Sequence, residues 1–433
     1  MSQPAKSLFA IETPEIVDVG TLPELGVVPD KMHAYVIRPE RFGEPEESFV
    51  SEAIQTWDPG PGEVLVKVMA AGVNYNGVWA GLGKPVDVTR GHGLPYHIAG
   101  SDASGVVWKV GPGVTGLSVG DEVVAHCNVT CGQCEHCNGG QPMACRQQQI
   151  WGYETPDGSF AQFTKVQAQQ LLPKPPELTW EEAASYGLTY FTAYRMLMDR
   201  AQIKPGEDVL VWGGAGGLGV FALQLCRTVG ARAIAVVSSE EKATLAKELG
   251  AYGVIDRRDF PNLGYPKELT PESEKAWRAE VKRFGRAIWD ILGEKKGPDV
   301  VFEHVGRATF PSSVFLANRF GRIVICGATT GFNLEFDVRH LWMHQKSIIG
   351  SHFADAGEAH RANRLVHQGV IEPVMTRLFA WDEIPAAHQL MYENQLHGTV
   401  ACLVGAPRPG LRNLAETLEA LAEGVTEDTA AAS

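Results

Sequence analysis

The sequence lacks the features by which membrane and nucleic-acid-binding proteins are usually recognised. No apolar run approaches the roughly eighteen residues that a transmembrane helix needs. Acidic residues outnumber basic ones by 51 to 38, and the net charge of −13 disfavours nucleic acid or an anionic membrane as the main partner. The N-terminal stretch MSQPAKSLFAIETPEI has no long apolar segment, so no secretory signal is predicted. We therefore expect a cytoplasmic protein.

Internal repeats are also absent, and the chain instead changes its pattern once along its length. From about 30 to 175, short strand-like runs are separated by Pro-Gly and Gly-Pro turns, which is typical of a compact β-rich domain. Beyond that, strand-like runs lie at 208–212, 232–237, 299–303 and 321–326, and helical patterns lie at 217–229 and 240–250. The alternation predicts an α/β doubly wound parallel sheet.

Three further segments have a helical pattern. Thr179 is a candidate N-cap for a helical region that runs to about residue 200, with two glutamates in its first turn. The stretch 257–297 is longer than an ordinary connection and is charged, so a helical insertion is predicted. The tail from about 406 is expected to be a partly frayed helix.

A glycine cluster follows the valine-rich strand that ends at Trp212. Gly214, Gly216 and Gly219 fit the pattern G-x-G-x-x-G, and Gly217 and Leu218 open the helix behind them. Glycines at these positions allow a tight turn and a close approach to a pyrophosphate, which the helix N-terminus then binds. The pattern predicts a dinucleotide site; the alternative is a glycine-rich turn without a ligand.

The end of the second strand indicates which dinucleotide is bound. NAD-binding folds usually have an acidic residue about twenty residues beyond the glycines, where it binds the ribose 2′-hydroxyl. Ser238 lies near that position here, and the side chains that could receive a 2′-phosphate are Ser239, Lys242 and Arg257. Glu240 and Glu241 could instead approach the ribose, or simply occupy the first turn of a helix. We expect NADPH.

Four of the eight cysteines lie close together as C-x2-C-x2-C-x7-C, at positions Cys131, Cys134, Cys137 and Cys145. Four thiolates with this spacing can enclose Zn²⁺ in one loop, and a site with four sulfurs leaves no open position, so the zinc would be structural. A redox pair and unligated thiols are the alternatives. His126 and His136 are possible competing ligands.

A β-rich domain, this cysteine lobe and a later glycine loop together resemble the medium-chain dehydrogenase/reductase superfamily. Its zinc alcohol dehydrogenases bind a catalytic zinc through a Cys and a His early in the β-rich domain and a second Cys before the cofactor domain. The corresponding segments here, 72–79, 98–105 and 187–194, contain no Cys or His at those positions. Alcohol chemistry at a polarising metal is therefore not expected.

Several motifs are similar to one branch of that superfamily, the crotonyl-CoA carboxylase/reductases. They are VNYNGVW (73–79), PYHIAGSDASG (95–105), DEVVAHCN (121–128), IWGYETPDGSFAQF (150–163), LTWEEAA (178–184), TAYRML (192–197), FEHVG (302–306), LWM (341–343) and IGSHFA (349–354). The match spans about 30–405. Two features depart from the family: FEHVG replaces the frequent FEHPG, and many relatives lack the four cysteines.

The resemblance implies a reaction and a set of residues. The family reduces a 2-enoyl-CoA with NADPH and adds CO2 at the α-carbon. By motif, its CO2 pocket falls on Asn76, the backbone of Tyr153, Glu154 and His352. Read from the residues alone, Asn76 could cap a turn, Glu154 could be an exposed charge and His352 could be a satisfied histidine after a strand. Tyr75 and His97 are secondary candidates.

The organisation that the resemblance implies is a β-rich GroES-like catalytic domain over 1–180, with the zinc lobe at 127–146. A Rossmann NADPH-binding domain would occupy 181–372, and 373–433 would return to the catalytic domain and form the tail. The expected substrates are a short-chain enoyl-CoA and CO2, and the expected assembly is a homotetramer built as a dimer of dimers. The alternatives are an enoyl-CoA reductase that does not carboxylate and a non-catalytic NADPH-binding sensor.

Overall fold

The structure is a computed structural model that describes residues 13–431. Residues 1–12, on which the prediction about a secretory signal partly rests, and the last two residues of the tail lie outside the described part. The strands are β1 Lys31–Val36, β2 Val50–Gln55, β3 Glu63–Gly72, β4 Ala103–Val110, β5 Glu122–Ala125, β6 Asn128–Val129, β7 Gln149–Ile150, β8 Phe163–Gln167, β9 Leu171–Pro173, β10 Asp208–Trp212, β11 Arg232–Val237, β12 Gly253–Asp256, β13 Val300–Glu303, β14 Arg322–Ile325, β15 Ser347–Gly350, β16 Met375–Phe379 and β17 Thr399–Leu403.

The helices are α1 Pro45–Ser48, α2 Tyr75–Leu82, α3 Glu135–Asn138, α4 Trp180–Ala183, α5 Gly187–Tyr194, α6 Gly217–Val229, α7 Glu240–Glu248, α8 Pro271–Leu292, α9 Phe310–Leu316, α10 Arg339–Trp342, α11 Ala356–His367, α12 Ile384–Tyr392 and α13 Leu414–Ala431. A π-helical turn, Arg195–Arg200, continues α5. Among the described residues, no helix has the length and apolar character needed to cross a membrane.

Two large sheets organise the chain. The first has the order β16-β17-β3-β4-β5-β9, with β8 also pairing with β3, and is mostly antiparallel. The second is parallel, with the order β12-β11-β10-β13-β14-β15. The strand order reverses direction between β10 and β13, and ligands bind at such a reversal point in doubly wound sheets. The predicted α/β class, with a β-rich unit beside a Rossmann-type sheet, is confirmed.

Local sequence signals explain most element boundaries of the second unit. Helix α6 spans 217–229 as predicted, and it ends at Gly230 with a φ of +83°, a left-handed conformation that favours glycine. Helix α7 ends two residues before the predicted limit of 250. The Thr179 hydroxyl caps α4 as expected, because it accepts a hydrogen bond from Glu182 N at 3.3 Å.

The predicted helical insertion contains α8, which packs against the parallel sheet. Its buried residues Trp277, Val281, Phe284 and Ile288 recur at intervals of three or four, so they form one apolar face. The Phe284 ring stacks on Trp212, with centroids 5.3 Å apart. This contact fixes the end of β10, where the glycine loop begins.

Candidate active site

A cavity of about 480 Å³ lies between the two sheets. The β-rich unit contributes Val73, Asn74 and Tyr75 from the segment between β3 and α2, together with Thr399 and Val400 from β17. The parallel sheet contributes the glycine loop and the carboxyl ends of its strands. The cavity therefore occupies the position at which a doubly wound sheet binds a dinucleotide.

The glycine loop combines close packing with an open helix N-terminus. A Cβ on Gly219 would collide with the Gly213 carbonyl and with Gly214 Cα. Glycine at position 219 therefore lets α6 approach the end of β10 closely. Gly216, Gly217 and Leu218 line the cavity. The first N–H groups of α6 therefore face space in which an anion can be held.

Two cations line the cavity beside the end of β11. They are Lys242 and Arg257, and Ser238 lines it with them. Burial, followed by the charge of Arg257, lowers the pKa of Lys242. The charge of Glu241 acts on Lys242 in the opposite direction. Two neighbouring cations that line a cavity are stabilised by a dianion such as a phosphate. The structure therefore places two of the three residues predicted to receive a 2′-phosphate, Lys242 and Arg257, along the cavity together with Ser238.

The other polar residues of this turn do not face the cavity. The Ser239 hydroxyl caps α7 by accepting a hydrogen bond from Lys242 N at 3.2 Å. Glu240 and Glu241 are exposed, and the Glu241 carboxylate lies 3.4 Å from His397 Nε2. The two acidic side chains thus occupy the first turn of a helix, which was one of the two interpretations left open by the sequence.

Asn74, from the β-rich unit, also lines the cavity, and it was not identified from the sequence. Its Nδ2 donates a hydrogen bond to Asp102 Oδ2 at 2.8 Å, and Asp102 Oδ1 accepts one from Leu188 N at 2.6 Å. Asp102 is fully buried, and burial raises its pKa to about 7. The carboxyl group joins the segment before α2 to the start of α5, and Thr189 in α5 also lines the cavity. The sequence signal for this contact was the presence of Asn74 in the motif VNYN and of Asp102 in the motif GSD.

The FEHVG motif forms another wall that the sequence analysis left without a role. Glu303 is fully buried and accepts hydrogen bonds from Val305 N at 2.8 Å, Thr309 Oγ1 at 3.0 Å and Ser313 Oγ at 2.7 Å. His304 lines the cavity, and its Nε2 donates to the Trp212 carbonyl at 2.9 Å. The buried carboxylate therefore organises a loop whose next residue faces the cofactor space.

Asn76 lies on α2 and is connected to the turn that contains Tyr153 and Glu154. Asn76 Nδ2 donates to Ser101 Oγ at 2.5 Å, and Ser101 Oγ donates to the Trp151 carbonyl at 2.6 Å. All three residues are buried. Asn76 is thus hydrogen-bonded, through Ser101, to the turn that contains Tyr153 and Glu154, at a residue two positions before Tyr153.

Within that turn, Tyr153 is buried and its hydroxyl donates to the Lys84 carbonyl at 3.3 Å. Its backbone N–H donates to the Ile150 carbonyl at 3.2 Å. The Glu154 side chain is exposed, and its carboxylate accepts a hydrogen bond from Ile150 N at 2.8 Å. The Glu154 carboxylate therefore stabilises its own turn.

His352 lies on a separate loop that follows β15. Its ring is accessible to solvent, yet surrounding protein atoms and then the charge of Arg195 lower its pKa, which favours the neutral imidazole. None of the described side chains of Asn76, Tyr153, Glu154 and His352 is among the residues that line the cofactor cavity, whereas Tyr75 is.

The four cysteines form a compact group. Their Sγ atoms all lie within 4.8 Å of one another, including 3.6 Å from Cys145 to Cys131 and 3.5 Å from Cys134 to Cys137. Sulfurs bound to one tetrahedral zinc at about 2.3 Å would be about 3.8 Å apart, so the group fits this ion. Backbone N–H groups of Gln133 and Cys134 lower the pKa of Cys131 to about 6, whereas burial raises that of Cys137 to about 11.

Neither histidine is part of this cysteine group in the described chain. His126 is buried, with Nε2 2.8 Å from the Ala354 carbonyl oxygen. His136 Nε2 lies 3.7 Å from Glu135. The two competing ligands considered from the sequence thus have other partners.

Comparison with known proteins identifies the family. The model of the alcohol dehydrogenase GroES-like domain matches residues 60–176, and that of the zinc-binding dehydrogenase matches 217–368. The chain is 55% identical to a crotonyl-CoA carboxylase/reductase of Cereibacter sphaeroides, covering 94% of this chain and 95% of that protein. A solved crotonyl-CoA carboxylase/reductase superposes with a TM-score of 0.89 at 53% identity, covering 94% of this chain and 96% of the other.

A more distant structure is informative about ligands. The 2-octenoyl-CoA carboxylase reductase CinF, solved with NADP and 2-octenoyl-CoA, has a TM-score of 0.84 at 36% identity, covering 91% of this chain and 92% of the other. Identity above one half over nearly the whole length, together with the shared fold, is sufficient for assignment. The chain therefore belongs to the crotonyl-CoA carboxylase/reductase family of the medium-chain dehydrogenase/reductase superfamily.

Proposed function

We propose that the chain catalyses the NADPH-dependent reductive carboxylation of a short-chain 2-enoyl-CoA, with crotonyl-CoA as substrate and ethylmalonyl-CoA as product. The observation that carries the proposal is the cavity between the two sheets, to which one unit contributes a cation pair and the glycine loop and the other contributes the Asn74 segment. Family membership and the NADP and 2-octenoyl-CoA bound by CinF support the choice of ligands.

The residues around the cavity fit NADPH. Lys242 and Arg257 would hold the 2′-phosphate, and Ser238 leaves room for it because an acidic side chain is absent there. The N-terminus of α6, with Gly216, Gly217 and Leu218, would hold the pyrophosphate. Bound NADPH supplies a hydride to the β-carbon of the enoyl thioester, which leaves an enolate.

The fate of that enolate defines the enzyme. In carboxylation, the α-carbon of the enolate attacks the carbon of CO2, and the new carbon–carbon bond leaves a carboxylate on the product. CO2 binds weakly, so it needs donors at its oxygens and exclusion of competing proton sources. Asn76 and His352 would supply the side-chain donors, and the backbone of Tyr153 would line the pocket. Glu154 would hold the turn or order a water molecule.

The zinc lobe would have a structural role. Cys131, Cys134, Cys137 and Cys145 would hold the ion with four thiolates, and no position would remain open for substrate. None of these residues lines the cavity within the described chain. Zinc would thus stabilise the loop between β6 and β7 and take no part in hydride transfer.

An exposed strand edge supports assembly into oligomers. β15 is the last strand of the parallel sheet in the described chain, and the Gly350 carbonyl on it accepts a hydrogen bond from Arg200 Nε at 3.0 Å. Ile348 on this strand and Trp342 and Met343 nearby are exposed apolar side chains. Pairing of β15 with the same strand of a second copy would cover both the strand edge and these apolar side chains. It would be the first step towards the tetramer proposed from the family.

One experiment separates this function from its alternatives. The protein is incubated with crotonyl-CoA and NADPH, with and without bicarbonate plus carbonic anhydrase, and the acyl-CoA products are identified by mass. We expect ethylmalonyl-CoA when CO2 is present. Butyryl-CoA alone at saturating CO2 would indicate a reductase without carboxylation, and no oxidation of NADPH would indicate a binding protein.

A further inference from the structure

Two buried histidines outside the cavity each reach the main chain of a loop that carries proposed CO2 contacts. His126 directly follows β5 and is 1% exposed, and its Nε2 lies 2.8 Å from the Ala354 carbonyl oxygen. Ala354 lies two residues beyond His352. A carbonyl oxygen only accepts hydrogen bonds, so the ring proton must be on Nε2. His126 Nδ1 is buried and has no partner among the described residues.

The loop that His126 contacts is one that needs external support. Phe353, between His352 and Ala354, has a φ of +41°, in the left-handed region that non-glycine residues rarely adopt. Such a conformation persists where surrounding contacts hold it. His126 is itself anchored, because its N–H donates to the Gln170 carbonyl and the Gln170 amide donates to its carbonyl, each at 2.8 Å.

His97 makes the corresponding contact to the other loop. It is fully buried, and its Nε2 lies 3.3 Å from the carbonyl oxygen of Gly152, the residue before Tyr153. Its Nδ1 lies 3.4 Å from His92 Nε2, and His92 Nδ1 accepts a hydrogen bond from Leu94 N at 3.3 Å. One assignment of ring protons satisfies this series of hydrogen bonds: Nε2 is protonated on both His92 and His97.

We propose that His126 and His97 are positioning residues that hold the Ala354 and Gly152 carbonyls, and thereby set how the enolate divides between CO2 and a proton. The inference rests on the proposed function. His126 holds the loop of His352, and His97 holds the turn of Tyr153 and Glu154. Hydride transfer takes place in the cavity, which neither histidine lines within the described chain, so displacement of these loops impairs capture of CO2 more than reduction.

Burial supports this role in both cases. It lowers the pKa of His126 to about 4 and that of His97 to about 3. Both rings therefore remain neutral near pH 7 and keep a single proton, which the carbonyl contact places on Nε2. The contacts do not depend on a charge that physiological pH changes would remove.

The test compares two substitutions of similar polarity. In His126→Gln the amide nitrogen can approach the position of Nε2 and still donate to Ala354, whereas in His126→Asn the shorter side chain cannot reach. The ratio of ethylmalonyl-CoA to butyryl-CoA is measured at one subsaturating CO2 concentration, together with NADPH oxidation. Loss of one hydrogen bond predicts a ratio about fivefold lower for His126→Asn, with substantial recovery in His126→Gln and little change in NADPH oxidation.

A matched control separates positioning from general destabilisation. Gln162 is also fully buried, and its amide donates to the Val17 and Asp18 carbonyls at 3.1 Å each, contacts that involve neither loop. A wild-type ratio in folded His126→Asn, or an equal fall in Gln162→Ala, would overturn the inference. If His126→Asn does not fold, the His97→Asn and His97→Gln pair decides by the same criterion. Wild-type protein that reduces crotonyl-CoA but forms no ethylmalonyl-CoA contradicts the proposed function instead.

Discussion

Removal of the Lys242 ammonium should change which nicotinamide cofactor the enzyme prefers. The side chain lines the cavity beside Arg257, and burial lowers its pKa. A hydrogen bond to a charged group contributes about 1.5–3 kcal/mol. Lys242 is partly buried whereas Arg257 is exposed, so solvent screens the contribution of Lys242 less. We therefore assign about 2 kcal/mol to Lys242, which corresponds to about thirtyfold in affinity.

The assay compares kcat/KM for NADPH and NADH in Lys242→Ala. We expect kcat/KM for NADPH to fall about thirtyfold. That for NADH should stay within about twofold, because NADH has no 2′-phosphate for Lys242 to contact. Lys247→Ala is the control, since Lys247 is exposed on the same helix and does not line the cavity. Equal losses with both cofactors in Lys242→Ala would refute the assignment of the 2′-phosphate to Lys242.

Three other predictions concern the rest of the molecule. Metal analysis should find one zinc per chain, and Cys145→Ser should lose it and melt at a lower temperature; less than half an equivalent in wild-type protein purified without chelator would contradict a zinc site. Lys67 is fully buried without a hydrogen-bond partner among the described residues, and burial lowers its pKa to about 7. The unfolded chain therefore holds the proton up to about pH 10, so the free energy of unfolding should rise with pH between these values. Lys67→Met should remove that rise in urea titrations and stabilise the protein at pH 7 by up to about 4 kcal/mol, whereas a wild-type pH profile in the variant would contradict the burial of an uncompensated amine. Ile348→Lys should lower the particle mass measured by light scattering, and an unchanged mass would exclude β15 as an interface.

Features encoded by neighbouring residues were predictable from the sequence. The limits of α6, the Thr179 cap and the close spacing of four cysteines all depend on residues within a few positions of one another. The same holds for Ser238 and Lys242, which closely follow the end of β11 and both line the cavity. Residues so close in sequence can adopt only a few relative positions, so these features could be predicted without knowledge of the fold.

Contacts between distant segments were not predictable in this way. Asn74 and Asp102 meet only because β3 and β4 are paired, and His126 reaches Ala354 across 228 positions. The role of Glu154 illustrates the same limit, since the motif assigns it to a pocket while its carboxylate is bonded to Ile150 N. Its part in CO2 binding remains a prediction.

The central claim is that the enolate made by hydride transfer is captured by CO2 and not by a proton. The most direct measurement supplies crotonyl-CoA, NADPH and ¹³C-bicarbonate with carbonic anhydrase in D2O, quenches early, and analyses the products by mass. We expect ethylmalonyl-CoA that carries one ¹³C and no deuterium at the α-carbon. Butyryl-CoA with deuterium at the α-carbon as the main product at saturating CO2 would contradict it.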